Sequence, residues 1–224
     1  MATRLLLAEL SEAYQRASGI GVNIESVGGV DAARRVQDGE LFDVVVLARD
    51  AIGKLAAAGQ VSAASCRAIV DSPVAVAVRA GATRPAIDSE EALRHSVLQA
   101  SRIGYSTGPS GTALLALFER WGLRQRLDSR LVQAPAGIPV AALLAHGEVD
   151  LGFQQLSELM HAEGIAVVGG LPPGVEIITT FVGAVATRSP QPQAAQALLD
   201  FLSDAHTAAC KVRHGMRMPV AVTA

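Results

Sequence analysis

Apolar and polar positions change period repeatedly along this chain, and each change marks an element. Residues 3–18 (TRLLLAELSEAYQRAS) put Leu6, Leu10, Ala13 and Tyr14 on one side and Arg4, Glu9, Glu12 and Arg16 on the other, which predicts an amphipathic helix. GVNIESV at 21–27 alternates apolar and polar residues and predicts a strand. Gly28-Gly29 then opens a helix through Val36, and Gly39 ends it. DVVVLA at 43–48 is a continuous run of buried-strand type. The same succession predicts a helix over 50–58 closed by Gly59, a strand PVAVAV at 73–78 and a helix over 89–100. RIGYS at 102–106 is the next strand, and a polar turn leads from it into a long apolar helix. A strand LVQA, a helix over 139–145, a strand DLGFQ at 150–154, a helix over 156–162 and a strand IAVVGG follow. EIITTFVGAVAT at 176–187 is the longest β-like run, and helices over 191–203 and 206–214 close the chain. Strands alternating with helices predict an α/β fold with mostly parallel sheets covered by helices.

An internal echo bears on the architecture. GGVDAARRVQDGELFDVVVLARDAI and AGIPVAALLAHGEVDLGFQQLSEL each run glycine, helix, Gly-Glu, aspartate, strand, helix, and Gly29 to Gly39 is spaced as Gly137 to Gly147. A common helix-to-strand stop explains this, and so does a pair of lobes of similar design. On the second reading residues 1–75 with 180–224 form one lobe and 80–175 the other. The connections near 71–80 and 176–187 then serve as hinge segments for closure.

Composition narrows the chemistry. The chain has 224 residues, half of them apolar and 18% charged, which supports a well-buried core. A net charge of −2 and 4% aromatics supply neither a basic field nor stacking platforms, so nucleic acid is not an expected partner. No apolar run is long enough to cross a bilayer, so no membrane insertion is expected. Cys66 and Cys210 match no metal-ligand spacing, and His95, His146, His161, His206 and His214 form no metal pattern. No metal or other cofactor is expected. The N-terminal helix is too charged for a secretory signal, which reads as cytoplasmic for the chain as written. An α/β chain opening on a helix also suggests a first strand, and with it a signal peptide, upstream of Met1; that would place the protein in the periplasm.

Three turns stand where ligands of open α/β sheets bind, beyond strand ends at helix starts. They are Gly28-Gly29, Ser110-Gly111-Thr112 and Gly137-Ile138-Pro139. Unpaired amides and the helix dipole favour an anion there, and glycine allows close approach of backbone to ligand. Plain helix capping is the simpler reading of any one turn; three in equivalent places favour a shared pocket. No lysine follows Gly111 and no full GxGxxG is present, so neither a phosphate loop nor a dinucleotide site is expected. Gln154 and Gln155, after DLGF, offer uncharged amides to a ligand oxygen. Glu158, one turn on, is the nearest carboxylate, and Thr3, Arg4 and Arg49 flank other helix starts.

Four stretches carry a resemblance over nearly the whole chain: ESVGGVDAARRVQDGELFDVVVLARDAIGKL, SPVAVAVRAGA, IGYSTGPSGTALLALFERWGL and GEVDLGFQQLSEL. Together they resemble the type II periplasmic binding proteins, in the branch that includes the molybdate-binding proteins of ABC transporters. The resemblance implies two lobes, a ligand cleft between them, and a small anion held by hydroxyls and backbone amides for delivery to a transporter permease. By position the first hydroxyl falls at Thr3, the second-turn serine is replaced by Gly28 or Gly29, and the family's Pro-Ala-Gly turn becomes Pro109-Ser110-Gly111. The next amide falls at Gly137 or Ile138, and a pocket tyrosine is replaced by Gln155. Such an amide-rich pocket suits a small organic acid as well as an oxyanion. GFQQLSE at 152–158 and GLPP at 170–173 look closer to the aconitate isomerase-like members of the same branch. That alternative is enzymatic: Glu158 would move the proton and Arg4 or Arg49 would clamp carboxylates.

Overall fold

The computed structural model describes residues 1–220. Two compact units divide the chain: one comprises Met1–Ser72 with the chain from Thr179 onward, the other Pro73–Ile178. In chain order the elements are α1 (Arg4–Ser18), α2 (Gly29–Gln37), β1 (Val44–Ala48), α3 (Arg49–Ala57), β2 (Arg67–Arg79), α4 (Glu90–Gln99), β3 (Ile103–Tyr105), α5 (Pro109–Arg120) and α6 (Arg124–Leu127). They continue with β4 (Leu131–Gln133), α7 (Val140–Ala145), β5 (Leu151–Gln155), α8 (Leu156–Leu159), β6 (Ile165–Gly170), β7 (Ile178–Val185), α9 (Pro192–Ser203) and α10 (Ala208–Arg213).

In the first unit the amphipathic α1 forms as its pattern predicts. It buries Leu6, Leu7, Leu10 and Tyr14 and ends at Gly19, whose φ of 73° is the left-handed conformation that glycine adopts freely. The buried leucines pack with Leu199 and Leu202 of α9, Ile69 and Val70 of β2, and Val185 of β7. β1 and β7 pair antiparallel, from Val44 opposite Val185 to Ala48 opposite Phe181. Asp71 of β2 is buried, and its carboxylate accepts from the Thr180 hydroxyl (2.6 Å) and the Val220 amide (3.2 Å).

The second unit is built on the later half of β2. Val74 to Ala77 pair antiparallel with Gln155 to Gly152 of β5, and β6 pairs antiparallel on β2's other side. β5 then lies parallel to β3, and β3 parallel to β4. The two ends of the unit meet, since the Val74 amide donates to the Ile177 carbonyl at 2.8 Å. Phe118, Leu114, Leu93, Ile103 and Phe153 fill one side of this sheet, and Val140, Leu144, Val149 and Leu159 the other.

Three expectations are corrected. Residues 21–27 form no strand: alternation needs a pairing neighbour to become a ladder, and this segment, with Ile24 exposed, has none among the described residues. Its Glu25 instead accepts from Arg35 of α2 (2.7 Å). The sheets are mixed rather than mostly parallel, because β2 pairs antiparallel with both β5 and β6, and β1 with β7. A continuous apolar run reports burial on both faces, and an antiparallel strand covered on both faces reads the same way. Finally, β2 begins at Arg67, six residues before the apolar run that announces it, and α8 stops at Leu159. The two halves of the internal echo fall in different units, as α2–β1–α3 and α7–β5–α8.

Candidate functional site

In the second unit β3, β4 and β5 are neighbouring parallel strands, so their carboxyl ends lie at one edge. The chain leaves each of them toward a helix start: α5 after β3, α7 after β4, α8 after β5. This is the arrangement in which open α/β sheets hold ligands.

The start of α5 follows from its residues. Gly108 is the N-cap and Pro109 takes the first helical position, where a missing N–H costs no helical bond. Ser110 is buried, and its hydroxyl lies 2.9 Å from that of Ser106. Gly111 has a sharper requirement. A Cβ there would stand 1.8 Å from the Ser106 carbonyl oxygen and 3.1 Å from the Tyr105 ring. Its lack of a side chain therefore lets α5 close onto the end of β3. Thr112 is exposed one position further on.

The start of α7 is already occupied. The Val140 amide donates to the buried Gln154 side-chain oxygen at 2.8 Å. Gly137 adopts φ 82°, and the Ile138 amide donates to the Pro135 carbonyl (3.0 Å), so that amide is satisfied within the turn. Gln155 caps α8 and is 3% exposed. Glu158 lies in the first turn of α8. Burial pushes its carboxyl above the ordinary value of 4.5, against a hydrogen bond with Gln154 that pulls it down.

Ser110, Gly111, Thr112, Gly137, Ile138, Gln155 and Glu158 all belong to this unit. Thr3, Arg4, Gly28, Gly29 and Arg49 belong to the other. Thr3 is buried at the N-cap of α1 without a capping bond from its side chain, Gly28 is the N-cap of α2, Gly29 its first residue, and Arg4 and Arg49 are the exposed first residues of α1 and α3. Sequence reasoning missed Ser106, although its signal was present four residues before Ser110, and it read Gln154 as a ligand amide where the structure gives its side-chain oxygen to the Val140 amide. A cavity of about 730 Å³ elsewhere in the unit is lined by Val78, Thr83, His95, Gln99 and Asp150. Asp150 precedes β5, so this cavity reaches the opposite, amino end of that strand and does not include the α5 start.

The family described as bacterial extracellular solute-binding protein matches residues 1–217. The chain belongs to that family. An aconitate isomerase from Pseudomonas sp is 37% identical to it over 203 residues, covering 88% of this chain and 77% of that protein. Among solved structures, the periplasmic molybdate-binding protein of Azotobacter vinelandii superposes with a TM-score of 0.79 at 18% identity, covering 98% of this chain and 96% of that one. The sulfate-binding protein of Mycobacterium tuberculosis H37Rv gives 0.74 at 19% identity, covering 98% and 83%. These likenesses establish the two-lobe α/β fold of this solute-binding family. Among the described residues no helix is long and apolar enough to cross a membrane.

Proposed function

We propose that this solute-binding family member binds a small polycarboxylic anion of the aconitate class, using the helix starts of its second unit. The 37% identity to an aconitate isomerase across most of the chain carries the reading. The site chemistry supports it: the start of α5 carries the Ser110 hydroxyl, and that of α8 the Gln155 side-chain amide, without a cationic side chain among them. Delivery of the bound anion to an ABC-type permease outside the cytoplasm is the corresponding transport role, and no metal or other cofactor is needed for it.

A second reading is favoured by Glu158, a half-buried carboxyl with a raised pKa one turn beyond Gln155. As a carboxylate it would take a proton from the methylene carbon of aconitate. The electron pair would spread over the allyl unit, and the proton would return at its other end. The double bond moves, and nothing is oxidised or reduced.

Calorimetric titration with trans-aconitate, with proton NMR of the same mixture, tests both. Saturable binding that Ser110→Ala weakens supports the binding reading. Appearance of the cis isomer, lost in Glu158→Gln while binding persists, supports the isomerase. Molybdate or sulfate binding with no response to aconitates would overturn both in favour of an inorganic oxyanion.

A further inference from the structure

α10 presents Cys210 and, four residues on at its C-cap, His214, which lie on one helical face. α1 packs Glu9 against both. One ligand atom from each of the three residues, a thiol sulfur, an imidazole nitrogen and a carboxylate oxygen, lies within 4.8 Å of the other two. His214 Nε2 is 2.8 Å from Glu9 Oε2, and Arg213 holds the other carboxylate oxygen. Cys210 is a free thiol, 8% exposed, whereas the Glu9 side chain is 43% exposed, so the cluster opens to water on its carboxylate side.

We infer that Glu9, Cys210 and His214 form a binding site for a thiophilic divalent cation of the zinc class, clipping α1 to α10 within the first unit. The donor set argues the choice. Thiolate and imidazole select a borderline-soft ion over magnesium or calcium, and three protein ligands leave a fourth position for water, which the open side supplies. Arg213, bonded to Oε1, leaves Oε2 facing the cluster. Its charge opposes the cation, and so does that of Lys211 on the same helix. Without metal, the same residues are an ion-paired clasp, and that is the alternative to be excluded.

Cobalt(II), which replaces zinc and reports thiolate ligation by a near-ultraviolet charge-transfer band, is the probe. One equivalent should produce the band in the wild-type protein, and zinc should quench it. Cys210→Ser, a near-isosteric change that leaves Glu9, Arg213 and His214 in place, should abolish the band and the rise in melting temperature with zinc. Cys66→Ser should leave both. Arg213→Gln should tighten binding severalfold by removing the opposing charge, whereas a clasp without metal affinity predicts only a lower melting temperature. Should Glu9→Gln or His214→Ala fail to fold, Cys210→Ser and Arg213→Gln still decide between the two. No band at millimolar cobalt, or a band that survives Cys210→Ser, overturns the site.

Discussion

Replacing Gly111 by alanine is the sharpest test of the α5 start. The added Cβ would lie 1.8 Å from the Ser106 carbonyl oxygen and 2.9 Å from its carbonyl carbon. Neither atom belongs to a flexible side chain, so either β3's end or the first turn of α5 must shift by more than an ångström to restore contact distance. Overpacking of this kind costs about 3 kcal/mol, the upper part of the usual range. For a chain of this length each kcal/mol lowers the melting temperature by roughly 2–4 °C, so a fall of about 6–12 °C is expected. Gly108, three residues earlier, is the control: a Cβ there would meet nothing within 4 Å, and its φ of −86° suits any residue. Gly108→Ala should stay within about 2 °C of wild type. Circular dichroism melts of the two variants decide the matter. If Gly111→Ala melts with Gly108→Ala, the close approach is wrong, and with it the account of how the helix start is held.

Other outcomes follow from the same geometry. Gln154→Leu leaves the buried Val140 amide without its 2.8 Å acceptor and should cost about 1–3 kcal/mol by urea denaturation; a neutral result would remove Gln154 from the α7 start. Asp71→Ala takes the acceptor from the Thr180 hydroxyl and Val220 amide and should cost about 1.5–3 kcal/mol, measured the same way. Glu158 has its folded pKa raised above 4.5, so the folded state binds more protons and stability is lost as pH rises through and above that value. Glu158→Gln should therefore match wild type near about pH 4 and melt higher near about pH 8; equal differences at both pH values would refute the burial argument. Ser110→Ala, which breaks the pair with Ser106, should lower stability by about 1 kcal/mol while leaving the secondary structure seen by circular dichroism unchanged.

The α5 start was legible because its signals are local: a strand end, Gly108, Pro109 and an apolar helical period lie within a dozen residues. What each residue does there was not, because Gly111 answers to a carbonyl five residues back and Ser110 to Ser106 across the turn. The Ile138 amide read as a ligand donor because the sequence does not show that Pro135 accepts from it. Residues 21–27 carry a strand's alternation without a strand's partner, and alternation alone cannot distinguish the two. The antiparallel pairing of β2 was hidden for the converse reason, since pairing direction leaves little mark on a run buried on both faces. The Glu9, Cys210 and His214 cluster escaped a search by spacing, because its third member lies about two hundred residues from the other two.

The hydrogen bond between Val74 and Ile177 has a consequence for synthesis on the ribosome. It marks the second unit as an uninterrupted stretch whose ends meet, complete as soon as Ile178 has emerged. The first unit is not: its opening segment waits while the ~100 intervening residues are made, roughly 5–20 s at ordinary elongation rates. Throughout that interval Leu6, Leu7 and Leu10 lack α9, whose Leu199 and Leu202 will cover them. The nascent chain thus carries an uncovered apolar helix for seconds, the species on which a holding chaperone acts. A circular permutant that begins near Thr179 would present α9 before α1 and shorten that exposure.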